Sequence, residues 1–305
     1  MLDVRRLRLL LELAHRGTIS EVAAALAYTP SAVSQQLAVL EREAGVPLLE
    51  RAGRRVALTP AGAVLARRTE SVLAALEEAA AAVAAAGTGV TGPLRIGAFP
   101  TAARTILPPA LVTLGRDHPG LDLMVTELDP VEVPDALRTG ALNVALIHDY
   151  DYVPIEPDPA LDTEPLLEET VYLAAAGEPG GPAGDVIGAC REAGWIVGSP
   201  GTMCCTMVVR ACQAAGFTPR IRHHADDFAT VLALVAAGQG AALVPELAAA
   251  GVPAGVTLTP LRARRRTRIA CRSGTRGHPA VSAFAAAIRS AAAAYPGVME
   301  AAAGR

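Results

Sequence analysis

The sequence predicts three parts: a small, mainly α winged helix-turn-helix at the N-terminus, a long helix leading out of it, and an α/β region over the remainder. Three observations predict this. Two short helical patterns lie about three residues apart within residues 17–44, and a pair of apolar runs with an arginine-bearing tip follows at 46–58. From Gly92 onward, β-type runs alternate with helical ones. The corresponding segments are 1–59, 60–89 and 90–305.

The stretch GTISEVAAALAYT reads as a helix capped by Ser20, with Val22, Ala25 and Leu26 on its buried side. After the short turn, Thr29 caps the next helix, and Pro30 fits its first turn, where a missing amide hydrogen costs nothing. Val33, Leu37, Leu40 and Ala44 then recur at steps of four, three and four, one stripe of a 3.6-residue helix. The opposite face, Ser31, Ser34, Gln35 and Ala38, lacks the charges an exposed helix ordinarily carries; Glu41, Arg42 and Glu43 come a turn later. Two helices joined so tightly form a helix-turn-helix, whose second helix offers its N-terminal residues to base edges in the major groove. Serine and glutamine suit that place because they both donate and accept hydrogen bonds and leave no charge unpaired there. The candidate base-reading set is Ser31, Ser34, Gln35 and Gln36, with Thr29 and Pro30 at the helix start. A helical domain whose polar face merely meets water is the competing reading.

The stretch GVPLLERAGRRVALTPAG carries apolar runs at Val46 to Leu49 and Val56 to Leu58 around a glycine-containing turn. Arg51, Arg54 and Arg55 make this a hairpin with a basic tip, a wing suited to the phosphate backbone. Thr59 and Pro60 cap the helix that follows. With these residues in view, SAVSQQLAVLEREAGVPLLERAGRRVALTPAG resembles the DNA-binding domain of the LysR-type transcriptional regulators. It has the serine-bearing recognition helix, the Leu-Glu pair, the Gly-Val turn, the basic wing and the Thr-Pro-Ala-Gly junction. Ala38 departs from the pattern, since many members carry a basic residue there.

Charge is unevenly placed. The whole chain has a net charge of −3, yet residues 1–68 hold ten arginines against six acids. A basic head on an acidic body suits duplex binding, because phosphate attraction is local and screened within about 8 Å at physiological salt. All 27 basic residues are arginine, which alongside the abundant alanine reads as a coding bias. No apolar run approaches the roughly 20 residues that span a bilayer, and Asp3, Arg5 and Arg6 are unlike a secretion signal. The expectation is a cytoplasmic protein with no membrane partner.

In TPAGAVLARRTESVLAALEEAAAAVAAAG, the residues Leu65, Val72, Leu76, Ala79 and Val83 fall close to a heptad seam, which Gly87 and Gly89 end. A self-pairing helix is expected, because a dimer places two recognition helices about 34 Å apart on one face of the duplex. A lone surface helix is the alternative. The resemblance also implies paired linker helices, in a homodimer or homotetramer.

Beyond Gly92, PLRIGAF, LDLMVTEL and NVALI read as strands, with helices at 102–115 and 131–138 between them. This alternation predicts a mainly parallel sheet with helices on both sides. Further strands are expected near 170–174, 195–197, 220–223, 241–244 and 268–272. The resemblance implies a two-lobed effector-binding domain like the type 2 periplasmic binding proteins, with the chain crossing between lobes near 164–169 and 258–264. Lobe I is then 92–166 with 264–305, and lobe II 167–263.

In open α/β sheets, ligands sit beyond the carboxyl ends of strands, where helix N-termini favour anions. AFPTAART offers Pro100, Thr101 and Ala102 at such a place, and GSPGTMCC offers Ser199, Gly201 and Thr202. The resemblance implies that these loops face one another across a cleft completed by His148, Asp226 and Phe228. The expected ligand is a small-molecule effector, with an anion favoured by the helix ends. For each residue an ordinary turn or cap competes.

Cys204, Cys205 and Cys212 raise a redox alternative, since peroxide-sensing relatives in the family use a cysteine pair in this region and a thiol at a helix N-terminus can have a low pKa. Cys205 and Cys212, however, lie about two helical turns apart, roughly 10 Å, too far for a disulfide without unwinding the helix. A zinc site with His223 and His224 lacks a CxxC knuckle. A cysteine-dependent enzyme would need an orienting residue and an oxyanion motif that cannot be read. The sequence therefore points to a regulator that binds double-stranded DNA, needs neither cofactor nor metal, and is modulated through its C-terminal cleft.

Overall fold

The computed structural model describes residues 1–52, 55–87, 89–177, 186–249 and 251–295. By its internal contacts the chain divides into two units, Met1–Gly87 with Arg272–His278, and Thr88–Cys271 with Pro279–Arg305.

The first unit begins with α1 (Val4–Arg16), α2 (Ile19–Ala25) and α3 (Pro30–Ala44). Asp3 starts α1 by accepting the amides of Arg5 and Arg6, and Gly17 ends it at a positive φ of 79°. Thr18, not Ser20, caps α2. Its hydroxyl accepts the Glu21 amide and donates to the Glu21 carboxylate at 2.8 Å, a reciprocal capping arrangement that the Glu three residues on makes possible. The buried side of α2 is Val22 and Ala23, while Ala25 and Leu26 are half-buried. In α3, Val33, Leu37 and Leu40 are buried with Leu7, Leu10 and Leu13 of α1 in one core, and Ala44 packs at its margin.

The wing is β1 (Leu49–Ala52) paired antiparallel with β2 (Arg55–Leu58). β1 starts three residues later than the apolar run suggested, because the Glu41 carboxylate takes the amides of Leu48 and Leu49 at 2.9 and 3.0 Å and shapes the approach. Thr59 then caps α4 (Pro60–Ala86) by accepting the Gly62 amide, and its hydroxyl donates to the Pro47 carbonyl. Gly62 admits no side chain: a Cβ there would lie 2.1 Å from the Leu48 carbonyl oxygen. Along the 27-residue α4, Val72, Leu76 and Val83 are exposed in the single chain. Arg272 pairs with Glu77 of this helix at 3.0 Å.

The second unit contains β3 (Gly92–Ala98), α5 (Pro100–Arg104), α6 (Leu107–Asp117), β4 (Leu121–Glu127), α7 (Val133–Thr139) and β5 (Val144–Tyr150). It continues with β6 (Leu161–Ala176), β7 (Gly194–Val197), α8 (Met203–Ala214), β8 (Arg220–His224), α9 (Phe228–Ala236), β9 (Ala242–Pro245), β10 (Val256–Arg272) and α10 (Pro279–Ala293). Six strands run in the order β4-β3-β5-β10-β6-β9, and β7 and β8 form a separate pair. β3 is parallel to β4 and β5, but β10 is antiparallel to β5 and β6 to β9, so the sheet is mixed rather than mainly parallel.

The helix expected at 102–115 is two helices. Pro108 and Pro109 lack amide hydrogens and cannot continue the α5 ladder, but they fit the first turn of α6. One core packs α6 and α10 on β3 and β5; others pack α8 and α9 around β7 and β9. β6 and β10, 16 and 17 residues long, run from one group to the other.

Candidate functional site

The outward face of α3 is built by its own start. The Thr29 hydroxyl accepts the Ala32 amide at 3.2 Å and lies 3.1 Å from the Ser31 hydroxyl, while Ser34 donates to the Pro30 carbonyl at 3.0 Å. Thr29, Pro30, Ser31, Ser34 and Gln35 are all exposed. Gln36 stands apart: it is half-buried, and its carbonyl accepts the Arg6 Nε at 2.8 Å, with Arg6 also paired to Glu43. Arg51 is exposed on β1. Arg54 lies outside the described residues, as does the Arg55 side chain.

In the second unit, a cavity of about 240 Å³ lies beyond the ends of β3 and β7. Its floor is Phe99, Thr101, His148 and Arg265, its walls include Ile196, Val208, Phe228 and Leu243, and its carboxylates are Glu127, Asp129, Glu132 and Asp226. Arg265 is 1% exposed and forms an ion pair with buried Glu169. Its Nη2 donates to the Thr101 hydroxyl at 3.0 Å, and its guanidinium lies 4.9 Å from the Phe99 ring centre. Burial opposes the charge on Arg265, but Glu169 outweighs it and holds the pKa above the usual guanidinium value.

His148 is 2% exposed and meets Phe99 and Tyr150 edge-to-face, with ring centres 4.5 and 5.0 Å away. Neither of its ring nitrogens has a hydrogen-bond partner among the described residues. Burial, with Arg265 nearby, holds its pKa well below the ordinary imidazole value, so the ring is neutral at pH 7.

The helix ends around the cavity are already supplied with oxygen atoms. Thr202 accepts the Cys205 amide at the start of α8, and Asp129 takes the Met203 amide. Asp227 caps α9 through the Thr230 amide and pairs with Arg104 of α5 at 2.8 Å. Asp226 holds the loop before α8 by accepting the Ser199 amide and hydroxyl at 2.7 and 2.6 Å.

Two family models match the chain: the bacterial regulatory helix-turn-helix protein, lysR family, over residues 4–63, and the LysR substrate binding domain over residues 87–293. The chain belongs to the LysR family. It is a LysR-type transcriptional regulator. A relative from Mycobacterium avium, described as a probable hydrogen peroxide-inducible genes activator, is 33% identical over 79% of this chain and 77% of its own. A mutant of OxyR from Corynebacterium glutamicum has 27% identity and a TM-score of 0.57, covering 100% of this chain and 95% of its own. CbnR in complex with its target DNA, 22% identical, shares the fold with a TM-score of 0.53 over 95% of this chain and 100% of its own.

Of the cleft residues expected in this LysR regulator, Pro100, Thr101, His148, Thr202, Asp226 and Phe228 line the cavity. Ala102 is fully buried in the core behind it, Ser199 spends its hydroxyl on Asp226, and Gly201 is exposed outside the lining. The sequence reading missed Arg265 and Asp129, and it weighed Cys204 only as a redox thiol, not as part of the cavity lining. Period-2 alternation held a signal for Arg265: Ala263, Thr267 and Ile269 face inward with it, while Arg264, Arg266 and Arg268 alternate outward.

The thiols are not activated. Burial raises the pKa of Cys204 and Cys205 and pushes Cys212 up to about 12, so the first turn of α8 does not produce the low-pKa thiol that the redox alternative needs. α8 is continuous from Met203 to Ala214, keeping Cys205 and Cys212 two turns apart. Among the described residues, no group of three or more His, Cys, Asp or Glu side chains could hold a metal ion, and no helix is long and apolar enough to cross a membrane.

Proposed function

We propose that this regulator reads duplex DNA with Ser31, Ser34 and Gln35 in the major groove, while Thr29 and Pro30 set the start of the recognition helix and the wing arginines Arg51, Arg54 and Arg55 meet phosphates. The observation that carries the reading is the uncharged, exposed N-terminal face of α3 beside a basic hairpin. Gln36 is a positioning residue, since it holds Arg6 rather than the open face. The outward stripe Val72, Leu76 and Val83 supports self-pairing through α4, as a dimer or a pair of dimers. The protein acts in the cytoplasm and without catalytic turnover.

In this reading, a small molecule enters the cavity floored by Thr101, His148 and Arg265 and is bound unequally by two arrangements of the protein. That differential affinity alters DNA binding. A thiol sensor is the second reading, favoured by the Mycobacterium avium relative and by Cys204 lying 3.5 Å from the Tyr150 hydroxyl at the cavity. The raised thiol pKa values favour the effector reading.

Gel shifts on the regulator's upstream DNA, at several salt concentrations, test the DNA assignment. Gln35→Ala should cost about 1–3 kcal/mol on the matched site and little on a scrambled one. Arg51→Ala should weaken both alike and reduce the salt slope by about one. Equal losses on the two duplexes for Gln35→Ala would defeat the base-reading role. A peroxide response that Cys204→Ser abolishes would favour the thiol sensor instead.

A further inference from the structure

Resting on the effector reading above, we infer that the cavity takes a small protonated amine with an apolar body and a hydrogen-bonding group at its far end, not an anion. Three observations converge on this chemistry. The places where an anion would bind are filled by the chain itself. Asp129 takes the Met203 amide and Thr202 the Cys205 amide at the start of α8, Asp227 caps α9, and Glu169 and Thr101 engage Arg265. The other nearby cation, Arg104, is paired to Asp227.

The outer cavity is acidic without compensation. Glu127, Glu132 and Asp226 are exposed there and Asp129 is half-buried, while among the described residues Arg265 is the single cation in the lining and already has a carboxylate partner. Carboxylates of one sign around a low-dielectric cleft raise the local concentration of cations and repel anions. The ammonium end therefore faces these carboxylates, and the apolar body lies against Ile196, Val208 and Leu243.

The floor supplies the independent observation. His148 is almost wholly buried, lines the cavity, and has two ring nitrogens with no partner among the described residues. Buried polar groups are ordinarily satisfied, and an unsatisfied one is costly. A neutral imidazole presents one donor and one acceptor, so a hydroxyl on the ligand answers it in either role. A cavity of about 240 Å³ suits a body of about one ring.

The test uses three near-isosteric probes on the full chain, titrated calorimetrically at pH 7: tyramine, its alcohol analogue tyrosol, and 4-hydroxyphenylacetate. Tyramine should bind about tenfold more tightly than tyrosol, and 4-hydroxyphenylacetate more weakly than either. Glu127→Gln with Glu132→Gln should remove most of the tyramine advantage and leave tyrosol unchanged. His148→Leu should weaken all three probes by a similar factor. Tighter binding of 4-hydroxyphenylacetate, or a tyramine advantage that survives the double glutamine change, overturns the amine assignment but leaves the effector reading standing. Failure of all three probes to bind overturns both the amine assignment and the cavity as an effector site.

Discussion

At the scale of single residues, His148 and Gly62 each carry a measurable consequence. His148 is held neutral by burial, so its folded pKa lies below the unfolded value of about 6.5. Below that pH the unfolded chain takes up a proton that the folded chain refuses. Stability therefore rises with pH through this range, and as pH falls His148 contributes a loss of up to about 1.4 kcal/mol per unit. Thermal unfolding from pH 7.5 to 5.5 should fall more steeply for the natural protein than for His148→Phe, and identical slopes would refute a neutral, buried ring. Gly62 is required for a different reason. Alanine there would drive a methyl group into the Leu48 carbonyl, and Gly62→Ala should destabilise the first unit by about 1–3 kcal/mol in a denaturant titration. An unchanged midpoint would contradict the close approach of α4 to the base of the wing.

At the scale of elements, α4 shows what local patterning can and cannot say. The heptad-like spacing of Val72, Leu76 and Val83 was legible, and the structure leaves those side chains outward. Leu76→Glu should shift the protein towards monomer in light scattering and weaken binding to a two-half-site duplex more than to a single half-site; unchanged mass would remove α4 from the pairing surface. Elsewhere patterning failed for physical reasons. Residues 102–115 looked like one helix because their apolar spacing continues across Thr105, yet the paired prolines after it force a restart. β6 and β10 were seen only in their apolar stretches. The rest of β10 alternates arginines whose partners, Asp149 on β5 and Asp151 just after it, are remote in sequence and make an exposed-looking run into a paired strand.

At the scale of the whole molecule, the order of parts was legible because each has its own period: capped helices around one short hairpin up to Ala86, then β-type runs alternating with helices. The cavity was only half legible. Loops after strands were found because they follow from topology, which gave Thr101 and Thr202, while His148, inside β5, came only with the family resemblance. The carboxylate at the start of α8 was not found, because it comes from Asp129, more than seventy residues away in the chain. The Arg104–Asp227 pair, with both side chains about half exposed, is open to dissolved ions. Brine therefore weakens the tie between the first helix after β3 and the cap of α9, which water already shares.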